Sequence, residues 1–195
     1  MHSLERWTFW FKWALADTVG LVFGVLLGIT IDYFVFPHIV IICAVGLVCE
    51  PIHFWLILGI ITGFLVGVTE WLVLRPFLNH SRRWILMSLL GWMLGFVMAA
   101  SSLYGNSIFL AAIMLGGIVG TAQWFILRTQ FSKAYWWIPV RATSGVVVYG
   151  ILLNISDWGN EILLGLINGL VTGLPLLWLL QHPLSITERP KYAIE

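Results

Sequence analysis

Long apolar stretches alternate with short polar loops along the whole chain. Six such stretches lie at about residues 13–36, 52–74, 84–104, 107–127, 136–153 and 161–180. Because a helix rises about 1.5 Å per residue, roughly 20 apolar residues cross a hydrocarbon core about 30 Å thick. The pattern therefore predicts an all-α polytopic membrane protein with six transmembrane helices, forming a single integral membrane domain over residues 1–195.

The even-numbered stretches repeat at a period of 53 residues, and the recurring positions hold small residues. These positions are Gly59, Ala112 and Gly165; Gly63, Gly116 and Gly169; and Gly67, Gly120 and Gly173. Glycines spaced four apart leave a groove on one helix face, into which a neighbouring backbone can pack closely. The repeat therefore predicts tight helix contacts of the GxxxG type, with a ligand-lined groove as the alternative.

The odd-numbered stretches repeat as well. Trp84 and Trp137 are 53 residues apart, and Trp13 precedes Trp84 by 71, an offset that also relates the Gly20 and Gly24 pair to Gly91 and Gly95. The chain thus divides into two-helix repeats at about 1–80, 81–133 and 134–186, followed by a short polar tail at 187–195. Because each repeat has two spans, all three repeats start on the same side of the membrane. Such repeats can be related by an axis along the membrane normal, which predicts pseudo-threefold symmetry.

The first repeat is 18 residues longer than the others, and the excess falls at about residues 37–51. Its apolar part is about 15 Å long as a helix, which is too short to span the membrane. We expect a re-entrant or interfacial piece here, or a kinked extension of the second span at Pro51.

Basic residues indicate how the chain is oriented in the membrane, and aromatic residues mark the ends of its spans. All ten Lys and Arg residues fall at the N-terminus, in the second and fourth loops, or at the C-terminus. Because basic residues favour the cytoplasmic side, both termini are predicted to be cytoplasmic, in a bacterial inner (plasma) or thylakoid membrane. Aromatic residues near the ends of the stretches are expected to act as interface anchors: Trp7, Trp10, Trp13, Tyr33, Trp84, Tyr104, Trp136 and Trp137.

Composition agrees with a membrane protein and excludes other classes. The chain is 60% hydrophobic and only 10% charged, whereas a soluble domain carries roughly 25% charged residues. The formal net charge of +1 and the lack of a basic stripe exclude a nucleic-acid binder. No HExxH, GxSxG or P-loop pattern occurs, so we expect no enzymatic activity.

Ionisable residues within the stretches are the first candidates for a site, because burying them without a partner is unfavourable. Asp17 lies three residues before Gly20, which directs it into the bundle. Its repeat equivalents are Ser88 and Arg141, so the repeat predicts an ion pair between Asp17 and Arg141 near the cytoplasmic end. Such a pair is either a structural clasp between repeats or a gate or anionic-substrate site.

A second candidate set lies at the ends of the even-numbered stretches. Glu70 and Gln123 each follow a repeated glycine by three residues, and Arg75 and Arg128 follow at the membrane edge. Because Glu70 and Arg75 are about 140° apart around a helix, an arginine from another repeat is the better partner for Glu70. The alternative for the two edge arginines is that they extend towards lipid phosphates.

Four residues in or beside the extra segment, Asp32, His38, Glu50 and His53, are predicted to cluster at the outer face. Two imidazoles and two carboxylates are suited to a transition metal, and a histidine can ligate a pigment or haem. Their spacing fits no recognised metal site, so solvated loop residues are the main interpretation and His38, Glu50 and His53 are weak metal candidates. No cofactor is predicted, with a pigment or lipid ligand left open.

The segments Gly67–Arg75 and Gly120–Arg128 share the pattern G-x-x-E/Q-W-x-x-L-R. In this respect the chain resembles small bacterial membrane proteins, many of them cyanobacterial, that carry Q-W-L-V-L-R-type repeats. The third repeat departs from the pattern, since Leu176 and Leu177 replace the polar residue and the tryptophan. The resemblance implies a membrane protein but no particular activity.

Two functions fit the sequence. Glycine-rich faces, many aromatic residues and few buried charges favour a non-enzymatic accessory or scaffold subunit, which packs beside other membrane proteins in the lipid bilayer. The internal repeats and the set of Asp17, Arg141 and Glu70 favour a small-solute transporter or channel instead. Coupled transport usually needs polar groups at mid-depth, which the stretches lack, so the accessory role is the preferred interpretation.

Overall fold

The described chain folds into a ring of helices. The computed structural model describes residues 3–35, 41–42, 48–49, 52–78, 81–104, 108–152 and 160–184. These contain α1 (Ser3–Val35), α2 (Ile52–Leu74), α3 (Arg83–Tyr104), α4 (Ile108–Leu127), α5 (Trp137–Leu152) and α6 (Asn160–Leu180), with a 3-10 turn at Ala134–Trp136 leading into α5. Five of them, α1 to α4 and α6, are long and apolar enough to cross a membrane. The prediction of a helical membrane protein is confirmed at this level.

The remaining apolar stretch corresponds to α5, of which the structure describes Trp137–Leu152. It has 16 residues, fewer than the roughly 20 that a span needs. The expected end of this stretch, residue 153, lies outside the described residues, as do residues 154–159. The described part of α5 therefore reaches about 24 Å at 1.5 Å per residue.

Helix α1 begins about ten residues before the expected start at Trp13. Phe9 is buried in the core, and the indole nitrogen of Trp10 donates a hydrogen bond to the Leu170 carbonyl at 3.1 Å. These contacts give the first turns of α1 a tertiary role, which the hydropathy of the membrane span alone did not reveal.

The extra segment of the first repeat is not helical where it is described. Strand β1 (Ile41–Ile42) pairs antiparallel with β2 (Val48–Cys49), and α2 begins only at Ile52. The suggestion of a kinked helical extension is therefore wrong for these residues, because β-branched Ile and Val pair here as strands.

Consecutive helices pack antiparallel, and α6 packs against α1, which closes the ring. Gly20 of α1 approaches Val66 of α2, whereas Gly28, further along α1, approaches Leu58. We call the end at which α1, α3 and α5 begin the base, and the opposite end the far end. Beyond α6, the Leu184 amide donates to the Gln130 carbonyl at 2.8 Å, so the end of the described chain is attached to the α4–α5 connection at the base.

The repeated glycines lie at contacts between even helices and the odd helices that follow them. A Cβ added at Gly59 would lie 2.7 Å from the Met93 Cα, and one at Gly169 would lie 2.6 Å from the Ala14 Cα. The other glycines of this set make equally close approaches: Gly63 and Gly67 to α3, Gly116 and Gly120 to α5, and Gly165 and Gly173 to α1. Replacing these hydrogens with side chains would push the helices apart.

The core has two parts. The base cluster is formed largely by buried aromatic and leucine side chains: Phe9, Trp13, Leu74, Leu78, Trp84, Ile126, Leu127, Phe131, Ala134, Trp137, Leu176, Leu177 and Leu179. The far cluster is smaller: Leu58, Val66, Trp92, Phe96, Ala99, Ala111, Leu115 and Val119. The base half of the ring is thus filled by side chains, and the far half surrounds a partly open cavity, described below.

Candidate functional site

Three tryptophans meet on the axis of the ring. Trp13 of α1 lies edge-on to Trp84 of α3, with ring centroids 6.4 Å apart, and edge-on to Trp137 of α5 at 6.3 Å. All three are fully buried. We call them the tryptophan layer, and they form the part of the base cluster that contacts the polar groups above.

Each indole of the tryptophan layer donates a hydrogen bond to an even-numbered helix. Trp84 Nε1 donates to Glu70 Oε2 at 2.8 Å, and Trp137 Nε1 donates to Gln123 Oε1 at 2.9 Å. Trp13 Nε1 donates instead to the Thr172 hydroxyl at 3.0 Å. The interpretation of these three tryptophans as interface anchors is therefore wrong. Tryptophan suits both places because it combines a large apolar surface with one polar N–H group.

One helical turn from the tryptophan layer, Arg141 of α5 binds Glu70 of α2. Arg141 Nη2 lies 2.6 Å from Glu70 Oε1, and the side chains of both residues are almost completely buried. Glu70 thus contacts an arginine from a different hairpin, as its position on α2 suggested. A charged pair in this setting is stable only because each group has further hydrogen-bond partners.

Gln123 of α4 connects those partners. Its Nε2 group donates to Glu70 Oε2 and to the Ser88 hydroxyl, both at 3.0 Å. Its Oε1 atom accepts from Arg141 Nε at 3.0 Å and from Trp137 Nε1. An amide side chain can serve here because it carries both donors and an acceptor.

Asp17 of α1 lies at the edge of this cluster. Asn168 of α6 donates to Asp17 Oδ2 at 2.6 Å, and Asp17 Oδ1 lies 4.0 Å from Arg141 Nη1. The Oδ1 atom has no hydrogen-bond partner among the described residues. The repeat alignment therefore predicted correctly that Asp17 lies near Arg141, but Glu70 is the closer partner of the arginine. We refer to Asp17, Glu70, Ser88, Gln123, Arg141 and Asn168 as the ionic cluster.

Arg75 and Arg128 are not part of the ionic cluster. Both are exposed at the base, just after α2 and α4 end. The Arg128 guanidinium lies over two aromatic rings of the last turn of α4, 4.9 Å from the Trp124 centroid and 4.7 Å from that of Phe125. Such stacking stabilises the guanidinium at the exposed surface of the base.

At the far end, His53 Nε2 lies 3.6 Å from Asp32 Oδ1. The other two members of the predicted outer group, His38 and Glu50, lie outside the described residues. Within the described ranges, no three His, Cys, Asp or Glu side chains come together in a way that could hold a metal ion.

A cavity of about 310 Å³ lies on the axis of the ring, between the ionic cluster and the far end. Arg141, Ser144 and Asn168 provide its polar surface. Its apolar walls come from all six helices: Leu21, Val25, Phe54, Trp55, Leu58, Trp92, Phe96, Ala112, Leu115, Gly116, Val119, Gly145, Val148 and Leu164. Apolar walls with a few polar groups at one end are typical of a small-molecule site.

The cavity borders the loosest seam of the ring. Helices α5 and α6 pack less closely than the other neighbouring helices. At the offsets that relate the odd helices, Ser144 and Val148 take the places of Gly20 and Gly24 on α1. Both of these residues are larger than glycine, and both line the cavity.

Sequence reasoning missed Asn168, Thr172 and the central role of the tryptophan layer. The sequence showed only that Trp13, Trp84 and Trp137 share the offsets of the packing glycines and so occupy equivalent positions in the bundle. The signal for Asn168 was an amide within an apolar stretch, which usually needs a partner in the membrane. No local pattern indicated the cavity.

No family model, curated protein or solved structure matches this chain.

Proposed function

We propose that this chain is a non-enzymatic, six-span membrane protein that holds a small, mostly apolar molecule within its ring, as an accessory or scaffold subunit of a membrane complex. The observation that carries the proposal is the central cavity with polar groups at one end. A volume of 310 Å³ is at the lower limit for ligand pockets and accommodates about ten non-hydrogen atoms. The occupant is thus a small molecule, or one end of a lipid or pigment.

Unpaired donors support an occupant. Trp55 and Trp92 line the cavity, and neither indole nitrogen has a hydrogen-bond partner within the described residues. In a membrane interior, an unsatisfied polar group is unfavourable because no bulk water can replace the missing partner. A bound molecule with an oxygen acceptor would supply the missing partner to either indole N–H that turns towards the cavity.

The pseudo-threefold arrangement is part of this proposal. Its support is that glycine contacts of the same kind recur between α2 and α3, between α4 and α5, and between α6 and α1. The indole donors of Trp13, Trp84 and Trp137 likewise each reach the preceding even helix around the ring. The sixth span would be α5.

The filled base half favours binding over transport. Below the cavity, the ionic cluster residues bind one another, and the tryptophan layer and base cluster fill the axis. A solute pathway to the base would need polar groups along this route. The same bonded arrangement supports the absence of catalysis, because the charged groups are held by each other.

Exposed apolar side chains support a bilayer environment and partner helices. Large hydrophobic residues are exposed along all six helices, including Phe23, Phe64, Leu94 and Phe125. Lipid tails or the helices of another membrane protein can cover such surfaces. We propose that both termini face the cytoplasm in a bacterial inner or thylakoid membrane, as the distribution of basic residues predicts.

A small-solute transporter is the second candidate, and one observation favours it. A charged residue, Arg141, lines one end of the cavity and is paired with Glu70 behind it, and transporters place their substrate and coupling-ion sites beside such groups within the membrane. In that case the tryptophan layer would be the gate.

Purification in mild detergent tests the binding proposal. Native mass spectrometry of the wild-type protein should detect a co-purifying small molecule, protein partners, or both. Val148→Phe should fill the cavity and release the small molecule, whereas Val147→Phe places the same ring at a position 42% exposed on the outside of α5. Binding that survives Val148→Phe would contradict a site in this cavity. Solute flux by the protein alone in liposomes would favour the transporter.

A further inference from the structure

The polar end of the cavity presents a charged hydrogen-bond donor. Arg141 lines the cavity, and its guanidinium is only partly engaged by the protein. Its Nε atom donates to Gln123 at 3.0 Å, and its Nη2 atom donates to Glu70 at 2.6 Å. The Nη1 atom has no hydrogen-bond partner among the described residues, since Asp17 Oδ1 is 4.0 Å away, beyond hydrogen-bonding distance. Arg141 therefore keeps unused N–H groups beside the cavity.

The two acidic side chains of the ionic cluster are turned away from the cavity. Neither Asp17 nor Glu70 lines it, and the two residues are 1% and 0% exposed. Asp17 accepts a hydrogen bond from Asn168, and Glu70 accepts from Gln123 and Arg141. A molecule in the cavity therefore contacts the guanidinium and neither carboxylate.

The charges around the guanidinium disfavour an ion in the cavity. An anion at Nη1 would be the third negative group around one arginine, after Asp17 and Glu70. A cation would lie against the like charge of the guanidinium itself. Either ion would also lose its hydration in the membrane interior, which is unfavourable. The other side chains of the cluster are neutral, so within the described bundle they offset neither charge: Ser88, Gln123 and Asn168.

The remaining wall fits an apolar body. Four aromatic side chains line it: Phe54, Trp55, Trp92 and Phe96. The indole nitrogens of Trp55 and Trp92 are donors without a hydrogen-bond partner in the described chain, like Arg141 Nη1. Because these three unpaired groups are all donors, the complementary ligand brings an acceptor.

Resting on the proposed function, we infer that the cavity selects a neutral carbonyl compound, an apolar molecule of about ten non-hydrogen atoms whose oxygen accepts a hydrogen bond from Arg141 Nη1. Hydrogen bonds from a charged donor are stronger than those between neutral groups. The carbonyl oxygen obtains this bond without adding a charge to the ionic cluster. The body of the molecule then lies among the aromatic side chains of the wall.

Four probes of the same planar shape test this inference: acetophenone, α-methylstyrene, benzoate and benzamidinium. They place a carbonyl, a hydrocarbon group, an anion and a cation, respectively, on the same phenyl ring. Dissociation constants come from the concentration dependence of thermal unfolding of the purified protein in detergent, with free probe concentrations corrected for partition into the micelle. We expect acetophenone to bind to wild type at least about tenfold more tightly than either ion.

A neutral double variant, Glu70→Gln with Arg141→Met, tests the role of the guanidinium. It removes both members of the ion pair, so neither is left as a stranded charge. Methionine keeps an unbranched apolar side chain but has no N–H group to donate. We expect the preference for acetophenone over α-methylstyrene to fall by about tenfold, the loss of one hydrogen bond from a charged donor. Arg75→Gln, at an exposed position on the base, should keep the wild-type preference.

Infrared spectroscopy of carbonyl-labelled acetophenone provides a second measurement. Bound to wild type, its carbonyl stretching band should lie at lower wavenumber than in detergent alone, because a hydrogen bond weakens the C=O bond. The shift should persist in Trp55→Phe and in Trp92→Phe. An unshifted band in wild type, or loss of the shift in either tryptophan variant, would overturn the assignment to Arg141. These spectra decide the matter if the double variant does not fold.

The outcomes separate this inference from the proposed function. If α-methylstyrene binds to wild type but not to Val148→Phe, the cavity is a binding site. An equal preference for acetophenone in wild type and the double variant, or tightest binding of benzoate or benzamidinium, would then overturn the carbonyl inference alone. If no probe stabilises the wild-type protein, the binding function itself fails.

Discussion

Arg141 Nη2 and Glu70 Oε1 lie 2.6 Å apart although 71 residues separate them along the chain. The contact joins α5 to α2, which are not neighbours in the ring, so it crosses the interior of the bundle. Because Gln123 binds both residues, the pair also engages α4. The ion pair and its hydrogen bonds to Gln123 thus link one helix from each of the three hairpins.

The Glu70–Arg141 pair should be strongly coupled. Removing one partner of a buried pair strands the other charge and typically costs about 3–5 kcal/mol of unfolding free energy. We expect Glu70→Gln and Arg141→Gln each to destabilise the protein in detergent, and the double variant to lose much less than their sum. Arg75→Gln, at an exposed position, should change stability by less than about 0.5 kcal/mol. Additive effects would show that the two groups do not interact.

Asp17 should couple to Arg141 more weakly than Glu70 does. The Asp17–Arg141 distance is 4.0 Å, against 2.6 Å for the Glu70 pair, and Asp17 also has a separate partner in Asn168. A double-mutant cycle with Asp17→Asn and Arg141→Gln should therefore give a smaller coupling energy than the cycle with Glu70. The opposite order would mean that Asp17 is the principal partner of the arginine.

Gly116 and Gly117 form a matched pair for testing helix packing. A Cβ added at Gly116 would collide with the Arg141 backbone carbonyl, whereas one added at Gly117 meets no atom within 4 Å. We expect Gly116→Ala to lower the unfolding free energy by about 1–3 kcal/mol through overpacking. Gly117→Ala should be neutral or stabilising by up to about 1 kcal/mol, because alanine favours the helix. Thermal unfolding in detergent measures both, and equal effects would contradict the close approach of α4 and α5.

Trp136 and Trp137 form a second matched pair. Trp137 is fully buried and donates to Gln123, whereas its neighbour Trp136 is 50% exposed. Trp137→Phe should cost about 1–3 kcal/mol, because it leaves a buried amide oxygen with one donor fewer and creates a small void. Trp136→Phe should change stability by less than about 0.5 kcal/mol. A larger loss from Trp136→Phe would indicate that the exposed ring, and not the buried layer, supports the fold.

The topology prediction can be tested from both ends of the ring. Arg82 is exposed at the base and Ile52 is exposed at the far end. In a variant without Cys43 and Cys49, a membrane-impermeant thiol reagent added outside intact cells should label Ile52→Cys but not Arg82→Cys. Labelling of Arg82→Cys alone would reverse the orientation derived from the basic residues.

The sequence by itself determined the class of this protein and much of its helix packing. Hydropathy over about 20 residues depends on the solvent around a single helix, so apolar stretches identify membrane helices without knowledge of their neighbours. Glycine spacing is equally local, and it marked the helix faces that make close contacts. The repeat offsets also related Asp17 to Arg141, because equivalent positions on equivalent helices lie at similar depth.

Only the tertiary structure decided which groups touch. The repeat predicts how deep each residue lies in the bundle, but it does not predict which way its side chain points or how far it extends. The side chain of Arg141 extends to Glu70 and stays further from Asp17. Trp13, Trp84 and Trp137 have the sequence context of interface anchors, yet the closure of the ring turns them inward to bind Thr172, Glu70 and Gln123. The cavity is bounded by all six helices, so its existence depends on how they are arranged around the axis, which no single stretch of sequence encodes.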